Sequence, residues 1–131
     1  VIRTKSIRSP IDPDSDGLRI LVARFRGRGL SPSLYDVWMA NLGPSEQLLA
    51  AFQAGRITAA EFARRYRVEL FTSASTDKAN RTIKNRGQKF TLRLLQELGR
   101  RQNVTLLCHC PEDARYCHRH VLAKILAGRI G

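Results

Sequence analysis

The residue types best equipped for chemistry are crowded into one stretch of this chain. All three cysteines and all three histidines lie in the run Cys108-His109-Cys110-Pro111-Glu112-Asp113-Ala114-Arg115-Tyr116-Cys117-His118-Arg119-His120. Thiols bind soft metals and, once ionised, attack electrophiles. Imidazoles move protons near neutral pH or ligate metals. Two arginines in the same run, Arg115 and Arg119, suit the oxygens of a phosphate or carboxylate.

The flanking elements decide which of these groups can meet. Val104-Thr105-Leu106-Leu107-Cys108 is a compact apolar run and is predicted to be a strand. If the strand continues to Cys110, Cys108 and Cys110 point to one face and His109 to the other. A helix is predicted after Arg115, carrying Val121, Leu122, Ile125 and Leu126. At about 100° per residue its apolar stripe centres on His118, with Cys117 and Arg119 on the flanks and His120 facing away. His118 is therefore expected to approach the strand-end cysteines. That position is the carboxyl end of a strand, where open α/β sheets hold ligands.

Three chemistries fit the segment. The first is a thiol beside an anion. Backbone N–H groups at the helix start, with Arg115 and Arg119, would hold a phosphate or carboxylate and favour a thiolate. Cys110 and Cys117 are then the candidate nucleophiles, and His118 an acid/base or orienting group. The run is similar to the His-Cys-loop-Arg element of thiol phosphatases. Four residues separate Cys110 from Arg115 where that element has five, which argues against that particular activity. The second chemistry is zinc, held by Cys108, Cys110, Cys117 and His118. A C-x-C pair on a strand is not the usual zinc knuckle, and no second knuckle exists, so no metal is expected. The third is structural: Cys108 as a small buried hydrophobe and His118 as a core histidine satisfied by a carbonyl.

Elsewhere, Val1 to Ile7 is predicted to form a short first strand, and Ser9 to Gly17 a loop rich in Pro, Asp and Gly. Leu18 to Ala23 reads as a buried strand, followed by the basic, glycine-containing loop Arg24-Phe25-Arg26-Gly27-Arg28-Gly29. Ser33 to Leu42 has a helical pattern. Ser45 is placed to cap a helix ending at Gly55, and Thr58 with Glu61 to cap another over Ala59 to Leu70. Gln88 to Leu98 reads as a helix burying Phe90, Leu94, Leu95 and Leu98, closed by Gly99. The polar stretch from Thr72 to Arg86 carries no clear period. Strands alternating with helices imply an α/β layered domain with a mostly parallel sheet.

Composition narrows the partners. The chain has 131 residues, 43% of them hydrophobic, which suits one domain with its own core. No run is apolar enough to span a bilayer, so no membrane partner is expected. An odd number of cysteines, two of them one residue apart, suits a reducing cytoplasm. A net charge of +12, from 23 Lys and Arg against 11 Asp and Glu, favours polyanions or phosphorylated small molecules such as nucleotides. Arg24, Arg28, Arg115 and Arg119 are the candidate ligand-binding arginines. The basic run Lys78, Arg81, Lys84, Arg86 and Lys89 raises nucleic acid as an alternative partner. No aromatic platform supports it, because Phe90 is assigned to the core.

Two separated motifs carry a family resemblance. One is Asp16-Gly17-Leu18-Arg19-Ile20-Leu21-Val22, continuing through Arg24 to Arg28-Gly29-Leu30, Trp38 and Pro44-Ser45. The other is Leu107-Cys108 through Cys117-His118-Arg119 to Leu122-Ala123. Together they resemble the domain of unknown function 488 family, in particular its YeaO-like branch. The resemblance implies a Rossmann-like α/β domain over residues 1–131 and supplies no activity. It also brings the two motifs together as candidate walls of one cleft. Ala23 stands where YeaO-like proteins usually carry Asp, and Arg26-Gly27 where they carry Trp-Pro.

Overall fold

Runs of Leu, Ile and Val become strands here because the fold buries them from both sides, as parallel sheets require. The computed structural model describes residues 1–72 and 87–130. Among them, β1 (Ile2–Ser6), β2 (Leu18–Leu21), β3 (Val37–Trp38) and β4 (Val104–Cys108) form one sheet in the order β1-β4-β2-β3. Every pairing is parallel, with Leu106 opposite Thr4 on one side and Ile20 on the other. All five residues of β4 are buried, as the central position demands.

The two sheet faces are covered differently. Ile20, Val22, Val104 and Leu106 face the main core. Packed on them are α1 (Glu46–Gln53), α2 (Ala59–Phe71), α3 (Lys89–Arg101) and α4 (His118–Ala127), through Leu48, Phe62, Tyr66, Leu92, Leu95, Leu122 and Ile125. Each fully buried Leu or Phe there contributes roughly 1.5–3 kcal/mol of transfer free energy. Leu21, Ala23, Leu107 and Ile7 face the other way, under Leu30, Leu34 and Tyr35 of the segment that follows β2. The expected α/β layering with a parallel sheet is what the chain forms.

Helix starts follow the sequence signals. Ser45 Oγ accepts from the Leu48 N–H, and Thr58 Oγ1 from the Glu61 N–H. Two expectations need correction. Residues 33–42 are not one helix but two 3₁₀ turns, Pro32–Leu34 and Ala40–Leu42, on either side of β3. The open edge of β2 recruits this backbone: the Asp36 N–H donates to Arg19 O, and the Met39 N–H to Leu21 O. In α3 the buried stripe runs through Leu92 and Leu95; Phe90 and Leu94 fall off that stripe and turn outward at 73% and 60% exposed. Gly99 does not end that helix. It lies inside α3, where a Cβ would stand 2.5 Å from Ile2 Cγ1, and it lets the helix settle on β1.

Charge ties β1 to the start of β2. Asp16 accepts from Lys5 Nζ at 3.0 Å and from Arg19 Nη1 at 2.5 Å. No helix among the described residues is long and apolar enough to cross a membrane.

Candidate functional site

The carboxyl edge of the sheet is where the chemistry-bearing residues converge. β4 stops at Cys108, earlier than a strand reaching Cys110 would, and Cys110 sits in the loop that follows. Cys108 shares the face of Val104 and Leu106, so its thiol points into the helical layer. Cys117 caps α4 with an extended backbone, φ −98° and ψ 146°, and brings its own thiol back to the strand end. The Cys108 and Cys117 sulfurs lie 2.8 Å apart, and all three thiol sulfurs lie within 4.8 Å of one another. Cys108 and Cys117 are buried, while Cys110 is half-buried.

Arg119 holds this arrangement from within. Its side chain is 0% exposed. Nη1 donates to Cys108 Sγ at 2.8 Å and to Cys110 O at 3.3 Å, while Nη2 donates to Pro111 O and Glu112 O at 3.1 Å each. The Glu112 carboxylate in turn accepts from Ser9 Oγ at 2.8 Å and from the Ser6 N–H at 3.3 Å, tying the loop to β1. His120 turns away from the thiols, and its Nε2 meets Ala114 O at 2.8 Å.

His118 is buried against the same cluster. Its Nε2 lies 2.8 Å from Val22 O; a carbonyl only accepts, so that nitrogen carries the proton. Nδ1 is therefore left with its lone pair, 3.8 Å from Cys117 Sγ. The ring stands edge-on to Tyr66 at 5.7 Å between centroids. Burial lowers the His118 pKa, and the Val22 carbonyl only partly opposes it. The imidazole is neutral.

Among the thiols, ionisation is favoured at Cys110 and opposed at the other two. Hydrogen bonding from Cys108 and Cys117, with the Arg119 guanidinium nearby, holds the Cys110 thiol far below the usual range. The same pairings push Cys108 and Cys117 up, because a second ionisation would set like charges side by side. Burial works against the Arg119 charge, but the Cys108 sulfur outweighs it and raises its pKa.

A second feature lies on the other side of His109. A cleft of about 290 Å³ opens between Arg8, Arg26, Gly27, Arg28, Gly29, Leu34 and His109. His109 Nε2 meets Phe25 O at 2.9 Å, joining the loop after β4 to the loop after β2. Three exposed arginines thus gather at the ends of β1 and β2, beside β4. Gly27, at φ 86°, brings the backbone to the imidazole, and a Cβ there would stand 3.5 Å from His109 Cε1.

The candidate residues from the sequence are thus divided. Cys110, Cys117 and His118 come together with Cys108, and Arg119 lies beneath them. Arg28 lines the basic cleft. Arg24 does neither, since its guanidinium donates to Pro44 O at 3.0 Å and Gly43 O at 3.1 Å. Arg115 stands exposed on the loop. Arg8, Arg26 and His109 went unmarked by sequence reasoning, although each follows closely on a predicted strand. The expectation that His109 looks elsewhere holds only with respect to the thiols. Of the basic run raised for nucleic acid, Lys78, Arg81, Lys84 and Arg86 lie outside the described residues.

Cys108, Cys110 and Cys117 could together hold a thiophilic metal ion, and of the three sulfurs it is Cys117 Sγ that His118 Nδ1 approaches, at 3.8 Å. Fold and site together define a small parallel α/β protein with a thiol–imidazole–guanidinium cluster at the end of its central strand. The family model described as the active DUF488-N3 subclade matches residues 2–130, and the chain belongs to the DUF488 family. No curated protein and no solved structure matches the chain.

Proposed function

We propose that this protein binds a phosphate-bearing small molecule, such as a nucleotide, at the carboxyl edge of its sheet, with thiol chemistry at Cys110. The observation that carries this reading is the basic cleft of Arg8, Arg26, Arg28 and His109, adjoining the loop that bears Cys110. Guanidinium groups from two loops can grip phosphate oxygens from different directions, and the cleft is near the size of small-ligand sites. In this reading Arg28 and its two neighbours hold the anion, while Arg115 stands ready at the loop. Arg24 and Arg119 act as positioning residues. Cys110, the most exposed of the three thiols, is the nucleophile, and His118 Nδ1 takes a proton from Cys117.

The test is a thermal-shift screen over nucleotides and sugar phosphates. A ligand present at a hundred times its Kd stabilises by about 2.7 kcal/mol, several degrees for a chain of this size. Arg28→Ala and Arg26→Ala should remove the shift, and Arg56→Ala, at the turn between α1 and α2, should keep it. Equal shifts in all variants would place the ligand elsewhere.

A second reading has its own observation, the three sulfurs gathered within 4.8 Å of one another. Zinc held there would be structural or would organise an interaction domain. Elemental analysis of purified protein decides it, since a metal-free protein with the same stability ends this reading. Nucleic acid as partner rests on the net charge of +12 and on the basic run from Lys78 to Lys89.

A further inference from the structure

We infer that Cys108, Cys110 and Cys117 form a three-thiol relay that reduces small anionic disulfides and stores the oxidation as a buried Cys108–Cys117 disulfide. The geometry is specific to that use. Cys108 and Cys117 sulfurs are 2.8 Å apart, inside the contact distance of two unbonded sulfurs, and they need to move less than 1 Å to reach the ~2.05 Å of a disulfide. Cys110 lies within 4.8 Å of both and is the thiol that solvent reaches. The two buried thiols cannot meet an external disulfide directly. An entry thiol with two resolving thiols behind it is the division of labour that exchange chemistry needs.

The steps balance. Cys110 thiolate attacks one sulfur of an external disulfide; the S–S bond breaks, one thiolate leaves and takes up a proton, and a mixed disulfide forms on Cys110. Cys117 gives its proton to His118 Nδ1, 3.8 Å away, and its thiolate attacks the Cys110 sulfur. The second external thiolate leaves and takes that proton, and a Cys110–Cys117 disulfide remains. With Cys110 now held in a disulfide, Cys108 releases its proton, which balances the one taken up by the first leaving thiolate. Its thiolate, facing the Arg119 guanidinium at 2.8 Å, attacks Cys117 Sγ, the Cys110–Cys117 bond breaks, and Cys110 leaves as a thiolate. The external disulfide has gained two electrons and two protons. The protein has lost the same.

The surroundings select the substrate by charge. Arg8, Arg26, Arg28 and Arg115 are exposed around this edge, and the whole chain carries +12, so a disulfide bearing carboxylates is drawn in and a cationic one is repelled. The inference stands on the three sulfurs and does not require that a phosphate compound bind the cleft.

Glutathione disulfide is the probe, added to the reduced full-length chain, with free thiols titrated and peptides mapped by mass spectrometry. The expected course is a fall from three free thiols to one, with Cys108 and Cys117 linked and no glutathione retained. Cys108→Ser combined with Cys117→Ser should instead hold glutathione on Cys110, and Cys110→Ser should slow thiol loss about tenfold or more. Cystamine, the cationic counterpart, should react more slowly, by a margin that shrinks with added salt. Three thiols still free in the parent protein, or a glutathione adduct that persists there, would overturn the relay. So would thiols that become titratable only after a zinc chelator is added. Because the parent protein supplies the deciding measurement, misfolding of a cysteine variant would not rescue the idea.

Discussion

Arg119 Nη1 and Cys108 Sγ stand 2.8 Å apart with both side chains out of reach of solvent. A guanidinium keeps its charge under all ordinary conditions, and a buried charge without a partner is costly. The Glu112 carboxylate is 3.6 Å away but 53% exposed, so it is a weak counter-ion. The sulfur of Cys108, in contact with the other two thiols, is the buried acceptor that this arginine faces. One residue therefore ties the helix start to the strand end, shapes the loop between them and favours ionised sulfur.

Replacing Arg119 by Met keeps much of the volume and removes the charge and the donors. The carbonyls of Cys110, Pro111 and Glu112 lose their partner, and the expected cost is about 2–4 kcal/mol in urea unfolding. The pH midpoint of Cys110 alkylation should rise as well, because the sulfur loses a neighbouring cation. An unchanged midpoint would mean that Arg119 only supports the loop.

Gly17 and Gly29 separate two demands on glycine. Both have positive φ, 60° and 73°, but a Cβ on Gly17 would lie 2.0 Å from Asn103 O, whereas nothing lies within 4 Å of one on Gly29. Gly29→Ala meets only the left-handed backbone penalty, about 1–2 kcal/mol. Gly17→Ala must also push apart β2 and the backbone entering β4, and is expected to cost about 3 kcal/mol or more. Chemical denaturation of the two variants gives the comparison; similar losses would mean that the close approach at Gly17 relaxes freely.

Tyr66 joins the core to the site. Its hydroxyl donates to Leu42 O in a buried position, and its ring meets the edge of His118. Burial pushes the phenol pKa up, so the hydroxyl stays protonated and donating. Tyr66→Phe leaves that carbonyl without its donor and should cost about 1–3 kcal/mol by denaturant unfolding. A variant as stable as the parent would show that water replaces the hydroxyl.

Much of this arrangement could be read from residue order, and the failures share a cause. The period of α4 placed His118 towards the sheet and His120 away, as found, because a single apolar stripe dominates that helix. The caps at Ser45 and Thr58 were legible because they are local. The strand at Val37–Trp38 was not, since it exists only where the edge of β2 offers hydrogen-bond partners. Phe90 and Leu94 misled in the same way: their hydrophobicity fits a buried stripe, but Leu92 and Leu95 occupy it. The three-sulfur contact was half legible. Shared placement at a strand end could be argued from spacing, whereas the reversal of the loop depends on Arg119 gathering four groups at once. The basic cleft was legible in part: Arg28 and the meeting of the two motifs were expected, whereas Arg8, Arg26 and His109 come from three loops that only the parallel order of β1, β4 and β2 brings together.

Acid should weaken the fold in two separable stages. Burial lowers the His118 pKa, so below the unfolded value of ~6.5 the unfolded chain binds a proton that the folded chain refuses, and stability falls as pH falls. Asp16 behaves likewise at lower pH. Burial opposes its ionisation, but the Asp12 N–H, Lys5 and Arg19 outweigh that and hold its pKa below the ordinary carboxylate value. Its stabilisation is present above the unfolded value of ~3.9 and is lost as pH drops through the folded one. Asp16→Asn should therefore cost about 3 kcal/mol near neutral pH, by leaving buried Arg19 without its carboxylate. It should also flatten the lowest part of the pH–stability curve while leaving the slope between about pH 6.5 and 5 in place. Urea unfolding across pH for parent and variant makes the measurement, and a variant curve parallel to the parent at every pH would remove Asp16 as the source of the acid stage.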